Sequence, residues 1–371
     1  MSLLLAVTLP AMITVVGAWR TPGNESFQAK WADWLRNHHL AAVANEIETA
    51  YYAHDAPTKG GRPVALNRVG GPSRQSRVSP AVGGHLPAPA PVSLVVHPAL
   101  PGEGQWLPAG PLIGGVTGLY VAQFRADDVY TAQITSAVWM DPTLLRLALV
   151  PGAREPGGTW TEPPGISGPA LATTVAAFNG GFRFQDAHGG FYLDGRQAVP
   201  LKSGAASLVI HRGGSVDIGD WGTEVHMTPD VEAVLQNLVP IVDHGRPAPN
   251  ATYNDAKIWG VTLGAGTVVA RSGVGVTATG ALVYVAGPAL TARSLAESLQ
   301  RAGAVRAMSL DINPNWVTFN FYQHDAADPS KVNALKLYPQ MQRPATRYLG
   351  PAPESRDFFT LSLPLSRRAS P

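Results

Sequence analysis

From Gly115 onward the chain is a succession of short apolar and β-branched runs cut by glycine turns. The runs are GLYVAQFR, YTAQITSAVWM, LRLALV, TTVAAFN, GFYLDG, ASLVIHR, GSVDIG, KIWGVTLG, GALVYVAG and VRAMSLDIN. Runs of this length and composition, bounded by turn residues, favour strands over helices. Gly195, the Gly213-Gly214 pair and Gly280 fall where hairpin turns are expected. Two helices are expected to interrupt the strands, one over Thr228 to Leu238 and one over Thr291 to Ala302. The second has Ser294 and Glu297 at capping-box spacing and Gly303 as its stop. The pattern predicts an α+β domain with a mixed, largely antiparallel sheet and a few packed helices.

The N-terminal third reads differently. Residues 2–19 form an uncharged apolar run, expected to be a signal segment or a membrane anchor of a protein outside the cytoplasm, secreted or membrane-anchored, with a buried N-terminal strand or helix as the other reading. Val16-Gly17-Ala18 offers small residues for cleavage, while the basic stretch usual at the start of a signal is missing. In residues 24–51, Phe27, Trp31, Trp34, Leu35, Leu40, Val43 and Ile47 follow a helical spacing that breaks near His38. From Ala56 to Gly110 the chain is rich in Pro and Gly and reads as an extended connector, with Leu94 to His97 as a possible short strand. The expected division is a signal or anchor over 1–19, a helical segment over 20–55, a connector over 56–114 and a folded domain over 115–365.

With 371 residues, 45% of them hydrophobic, the chain is long and apolar enough for a sizeable core. The net charge is +2 with both signs interspersed, so nothing tracks a phosphate backbone and nucleic acid is not an expected partner. Cysteine is absent, which excludes disulfides, a thiolate zinc site and a cysteine nucleophile. Membrane contact is expected only through the N-terminal run, and the oligomeric state is left open.

Three segments can carry chemistry. In the first, Val175 to Phe178 delivers Asn179 into Gly180-Gly181 and then Phe182; glycines there allow the backbone to approach a ligand, or simply make a hairpin whose Asn caps the turn. In the second, Arg271-Ser272-Gly273 precedes a strand over Val274 to Thr277. That arginine can hold a phosphate or carboxylate, or it can be a solvated residue at a strand end. In the third, a helix and a strand end in Asp311-Ile312-Asn313-Pro314-Asn315-Trp316, a carboxylate and two carboxamides suited to sugar hydroxyls, proton transfer or a cation. The D-x-N-x-N spacing opens like a calcium loop but fails where Trp316 replaces its glycine and Tyr322 its glutamate. No histidine pair has metal-ligand spacing. His188 and Asp243-His244 read as loop and turn residues.

Taken in this order, the three segments resemble the phosphodiester glycosidase family over roughly Thr173 to Tyr322. The likeness is carried by Asn179 to Phe182, by Arg271 to Gly275 in the pattern Arg-(Ser/Thr)-x-x-Gly, and by Leu310-Asp311. The resemblance implies hydrolysis of a sugar 1-phosphodiester to a sugar and a phosphomonoester. It implies that Arg271 stabilises the phosphate charge, that Asp311 is acid/base or nucleophile, and that Asn179 orients the substrate. Around these catalytic candidates, Gly180, Gly181, Phe182, Lys202, Ser203, Ser272, Asn313, Asn315 and Trp316 are the expected substrate-binding residues. No metal or other cofactor is expected, a divalent cation being the one left open, and the partner is a glycan or sugar phosphate.

One departure stands out. The family continues after the aspartate with Gly-Gly-Gly-Ser, whereas this chain has Ile312 to Trp316, replacing a glycine-lined approach with asparagines and a flat aromatic face. The alternative is therefore a non-catalytic glycan-binding or exopolysaccharide-assembly protein of the cell envelope. A conventional two-carboxylate glycosidase needs a second acid from elsewhere in the fold.

Overall fold

In the computed structural model the residues described are 12–21, 26–40, 42–44, 46–47, 57–63, 65–66, 84–253, 255–260, 267–325, 327–350 and 354–364. Strands β1 (Leu107–Ile113), β2 (Val116–Phe124), β3 (Thr135–Met140), β4 (Arg146–Val150), β5 (Thr174–Asn179) and β6 (Phe191–Leu193) come first. They are followed by β7 (Arg196–Val199), β8 (Ala206–His211), β9 (Val216–Asp220), β10 (Val231–Gln236), β11 (Pro240–Asp243) and β12 (Arg246–Pro247). The last are β13 (Val269–Thr277), β14 (Leu282–Leu290), β15 (Ala304–Ser309), β16 (Phe319–His324), β17 (Val332–Lys336) and β18 (Phe358–Ser362). Helices α1 (Phe27–Asn37), α2 (Pro169–Thr173), α3 (Phe184–Ala187), α4 (Ala256–Trp259) and α5 (Ala292–Arg301) are interspersed.

The strands form an eight-stranded sheet, β1-β2-β3-β14-β13-β15-β11-β12, and two five-stranded sheets, β7-β6-β10-β8-β9 and β17-β16-β5-β18-β4. Their ladders are antiparallel throughout, from β1 with β2 to β8 with β9. The expected α+β class, with a largely antiparallel sheet and few helices, is what the chain forms.

The large sheet is buried on both faces, and its central strand shows why. Along β14, Leu282, Tyr284 and Ala286 enter the core shared with the smaller sheets. Their neighbours Val283 and Val285 enter a second core beneath α5, as the period of two in a strand dictates. Leu295, Ala296 and Leu299 of α5 are buried in that second core, and truncating one such leucine to alanine costs roughly 2–5 kcal/mol. In the shared core, Phe178 of β5 stacks on Phe319 and Phe359 with centroids 5.6 and 5.0 Å apart, fixing the strand end that carries Asn179.

Several expectations are corrected. The helix expected over Thr228 to Leu238 is instead the buried strand β10, paired with both β6 and β8; its short apolar run satisfies either geometry, and the open ladder between two neighbours decides. The strand expected over KIWGVTLG begins as the helix α4, capped by the Asp255 side chain on the Lys257 N–H, and residues 261–264 lie outside the described ones. Leu94 to His97 is bent chain and not a strand. In α5 the capping box is Thr291 with Ser294, while Glu297 pairs with Arg293. The turns at Gly195, Gly213-Gly214 and Gly280 do join β6 to β7, β8 to β9 and β13 to β14.

The sheet begins inside the segment read as a connector, since β1 pairs with β2. Ahead of it, buried Glu103 binds the Arg125 guanidinium through both oxygens, at 2.9 and 2.7 Å, and accepts from the Leu100 N–H. The N-terminal helical reading holds over α1, which stops at His38, with His39 in the left-handed region. Residues 12–20 are also helical; the rest of the apolar run, 2–11, and residues 48–55 are outside the described set. Among the described residues no helix is long and apolar enough to cross a membrane.

Candidate functional site

The three motifs meet where β5, β13 and β15 end side by side. The β13–β15 ladder runs on into Asp311: Leu310 N–H donates to the Ser272 carbonyl at 2.8 Å and Ser272 N–H to the Asp311 carbonyl at 2.9 Å. The Ser272 hydroxyl accepts from the Asp311 N–H at 3.2 Å and from the Asn179 amide at 3.1 Å. Asn179 Oδ1 accepts from the Tyr284 hydroxyl at 2.9 Å and from the Thr318 N–H at 3.1 Å. Asn179 and Ser272 are thus buried and engaged by protein groups; they knit three strand ends together and set where Asp311 stands.

Asp311 is buried, with Oδ1 accepting from the Asn313 N–H at 2.8 Å and Oδ2 from the Arg356 guanidinium at 3.0 Å. Burial pushes its carboxyl up from the ordinary aspartate value, and the Arg356 charge opposes that rise. Arg356 also donates to the Gly181 carbonyl. It lies over the Trp316 ring with its guanidinium carbon 4.3 Å from the centroid, and Arg347 lies over the same ring at 4.7 Å. Arg347 is in turn fixed by a two-pronged pair with buried Glu354, at 2.8 and 3.0 Å. Trp316 is buried beneath guanidinium groups, so its ring orders arginines in place of offering the expected flat surface for a sugar.

The glycines of the Asn179 motif serve a close approach between chain segments. A side chain at Gly180 would overlap the Asp357 carboxyl, and one at Gly181 would meet the Asn237 side chain at 3.0 Å. Asn237 accepts from the Phe182 N–H at 3.0 Å and donates to the carbonyls of Ser309 and Leu310, both at 2.9 Å. It thereby clamps the β5 loop to the end of β15. Phe182 packs in the α5 core with Ile312.

The remaining expected residues stand apart from Asp311 or act locally. Arg271 lies within β13, not before it, on the face opposite Ser272 that looks to α5, and its Nε donates to the Leu290 carbonyl at 2.9 Å. Burial lowers its pKa to about 10. The guanidinium beside Asp311 is that of Arg356. Lys202 and Ser203 are exposed between β7 and β8, with the Lys202 N–H held by Gln236 at 2.8 Å. Asn313 Oδ1 accepts from the Asn315 N–H at 2.9 Å, so the asparagines after Asp311 build successive side-chain turns. Asp243 and His244 form the β11–β12 turn and His188 ends α3, as a turn and loop reading requires.

Arg356, Glu354, Asp357 and Asn237 were not singled out by sequence. The signal lay in ESRD, a charged cluster set directly before the apolar run FFTLSL, where a strand start would bury charge. A cleft reaches Arg356 from outside, lined also by Arg154, Glu155, Arg183, Ser355 and, from α1, Asp33 and Asn37. Helix α1 therefore sits at the mouth of the site. Among the described residues, Glu224, Asp243 and His244 could together hold a metal ion; Arg306 stands 2.7 Å from Glu224 and 4.0 Å from Asp243, so a cationic side chain already neutralises that group.

Residues 172–311 match the phosphodiester glycosidase family. The resemblance read from the motif order is thereby shown for this segment, which holds Asn179, Arg271 and Asp311 and stops short of Arg356 and Asp357. No curated protein matches the chain. Among solved structures it is similar to the catalytic domain of zebrafish N-acetylglucosamine-1-phosphodiester alpha-N-acetylglucosaminidase, auto-inhibited by its pro-peptide. That likeness has 14% identity, a TM-score of 0.39 and coverage of 66% of this chain and 83% of the other. A Synechocystis protein gives 13% identity and a TM-score of 0.35 over 69% of this chain and 64% of its own. A Burkholderia pseudomallei protein gives 12% and 0.34 over 62% and 74%.

Proposed function

We propose that the chain is a hydrolase of the phosphodiester glycosidase type that cleaves a sugar 1-phosphodiester with water, acting outside the cytoplasm. The observation that carries this reading is the buried Asp311–Arg356 pair at the end of the family-matched segment, with Arg356 reaching a cleft lined also by Arg154, Arg183, Asp33 and Glu155. Three guanidinium groups against two carboxylates leave this cleft net positive, and a fixed guanidinium group such as Arg356 can stabilise the charge gathering on a departing phosphate. Asp311, oriented by Arg356 and the Asn313 N–H, takes the proton of the attacking water. The bond from the anomeric carbon to the bridging oxygen breaks, and its electron pair stays with the phosphate. Location outside the cytoplasm is supported by the apolar run at residues 2–19.

The test is hydrolysis of a panel of chromogenic sugar 1-phosphodiesters by the full chain, compared with Asp311→Asn and Arg356→Ala variants whose folding is checked by circular dichroism. Turnover that falls by about 100-fold or more in Asp311→Asn supports the reading. A wild type inactive on every diester that still binds glycans transfers the assignment to glycan binding.

A further inference from the structure

The helix of residues 12–20 carries its large apolar residues on the outside. Met12, Ile13, Val15, Val16 and Trp19 are exposed, Ile13 at 57% and Trp19 at 80%, and positions 12, 15, 16 and 19 recur at the spacing of one helical face. The opposite side is made of small residues. The Trp31 indole N–H donates to the Thr14 hydroxyl at 3.0 Å, Ala18 is fully buried, and a side chain at Gly17 would overlap the Trp34 ring. These contacts seat the helix on α1. A surface helix facing water turns its large apolar residues to the core; here the packed side takes the small ones and leaves the large ones outside. Arg20 follows, exposed next to Trp19, an aromatic and a cation of the kind that settle at the level of lipid headgroups. In sequence the apolar character runs back without a break through residues 2–11, which carry no charge.

The other side of α1 faces the site. Asp33 and Asn37, four residues apart, line the cleft that reaches Arg356, while Trp31 and Trp34 hold the 12–20 helix. The outward apolar face and the mouth of the cleft are therefore neighbours across α1, whose width with side chains is about 10 Å. We propose that this apolar face lies in the surface of a lipid bilayer and that the substrate of the cleft is a lipid-linked sugar 1-phosphodiester, its alcohol a membrane lipid. The choice of substrate rests on the hydrolase reading above; the docking surface does not. A helix lying in the membrane interface buries its apolar face by roughly 5–10 Å, which brings the cleft to the height of the lipid phosphates. A diester enters there without its chains leaving the bilayer, and the net positive cleft favours its anionic phosphate. In the reaction the water oxygen bonds to the anomeric carbon and the carbon–oxygen bond breaks towards phosphate. One water proton stays on the new sugar hydroxyl and the other passes by way of Asp311 to the phosphate. A free sugar leaves into water, and a lipid phosphate stays in the membrane.

The chain has no cysteine, so a single Val16→Cys substitution takes an environment-sensitive dye at one place, with Ala278→Cys in the exposed β13–β14 turn as the reference. Each labelled full chain is mixed with phosphatidylcholine and phosphatidylglycerol vesicles that contain nitroxide-labelled lipid. Dye at position 16 should shift to the blue and be quenched, and dye at position 278 should do neither. Turnover is then compared on a sugar 1-phosphodiester of diacylglycerol held in the same vesicles and on a water-soluble chromogenic diester. The variant Ile13→Glu/Val16→Glu/Trp19→Glu, with its folding checked by circular dichroism, should lose about tenfold or more in kcat/KM on the vesicle substrate and nothing on the soluble one. Equal behaviour of the two dyes, or a variant that keeps the vesicle rate, overturns the docking. A shift at position 16 that needs no lipid and follows protein concentration overturns it in favour of a second copy of the chain. A wild type that cleaves the soluble diester and leaves the vesicle one intact overturns the lipid substrate alone. If position 16 enters lipid and neither diester is cleaved, the hydrolase reading falls and the lipid diester with it, while the docking stands.

Discussion

Arg356 donates to Asp311 Oδ2 at 3.0 Å across 45 residues of chain. The same guanidinium holds the Gly181 carbonyl and covers the Trp316 ring. One side chain from the segment before β18 therefore binds the ends of β5 and β15 to each other through buried charge. Removing Arg356 strands the Asp311 charge, so Arg356→Ala should cost about 3–5 kcal/mol of stability, whereas Arg356→Met with Asp311→Asn should cost less than Arg356→Ala alone. Denaturant unfolding of the three variants measures the difference, and equal losses would show that the two groups do not interact.

Asp357 ties stability to pH with a definite sign. Its pKa rises from 3.8 to about 7 on folding, so its contribution is complete below the unfolded value and is lost as pH rises through the folded one. At 1.36 kcal/mol per unit, wild type should lose roughly 4 kcal/mol relative to Asp357→Asn between about pH 4 and about pH 8. Parallel unfolding titrations of the two proteins check this, and curves that stay parallel across that range contradict it.

The Gly180 position tests the same contact sterically. A β-carbon there meets the Asp357 carboxyl and its backbone oxygen, the latter at 2.8 Å. Gly180→Ala should therefore destabilise by about 1–3 kcal/mol. Part of that loss should return in the Gly180→Ala/Asp357→Ala double variant, since the backbone clash stays while the carboxyl is gone. A thermal-unfolding cycle over the four proteins reads the coupling.

Glu103 fastens the chain ahead of β1 to the body through Arg125. Burial works against its ionisation, and hydrogen bonds from Arg125 and the Leu100 N–H outweigh it, so the pKa is held below 4.5. The stability from this pair is then present above the ordinary glutamate value and lost as pH falls through the depressed one. Glu103→Ala, which leaves the Arg125 charge buried, should cost about 3–5 kcal/mol at neutral pH and less in acid. Urea midpoints at the two pH values measure it.

Asp33 and Asn37 of α1 form part of the cleft wall, and the Asp33 charge is felt at Arg356. With both shortened to alanine, KM for diesters of a bulky aglycone should fall several-fold while KM for a small chromogenic one changes little. Initial-rate measurements on the two substrate classes decide whether α1 narrows the entrance.

The alternating apolar runs and glycine turns carried enough information for the class of fold, because a period of two and a tight turn are properties of a few neighbouring residues. The Thr291 to Ala302 helix was legible for the same reason, through its spacing and its glycine stop. The run Val231 to Gln236 was not: six mostly apolar residues fit either geometry, and only the neighbouring ladders β6 and β8 made it a strand. Within the site, Asn179, Ser272 and Asp311 could be picked out as polar groups at the ends of apolar runs. Whether a guanidinium beside them came from Arg271 or Arg356 could not. Arg271 sits one residue from Ser272 and points to the opposite face of its strand, while Arg356 arrives from a distant segment. Strand alternation sets the first and chain packing the second. The sequence by itself determined most of the strands, the turns and the central segment's resemblance to the phosphodiester glycosidase family, since these reside in local order; the pairing of Asp311 with Arg356 and the burial of Asp357 exist only where distant segments exclude water together.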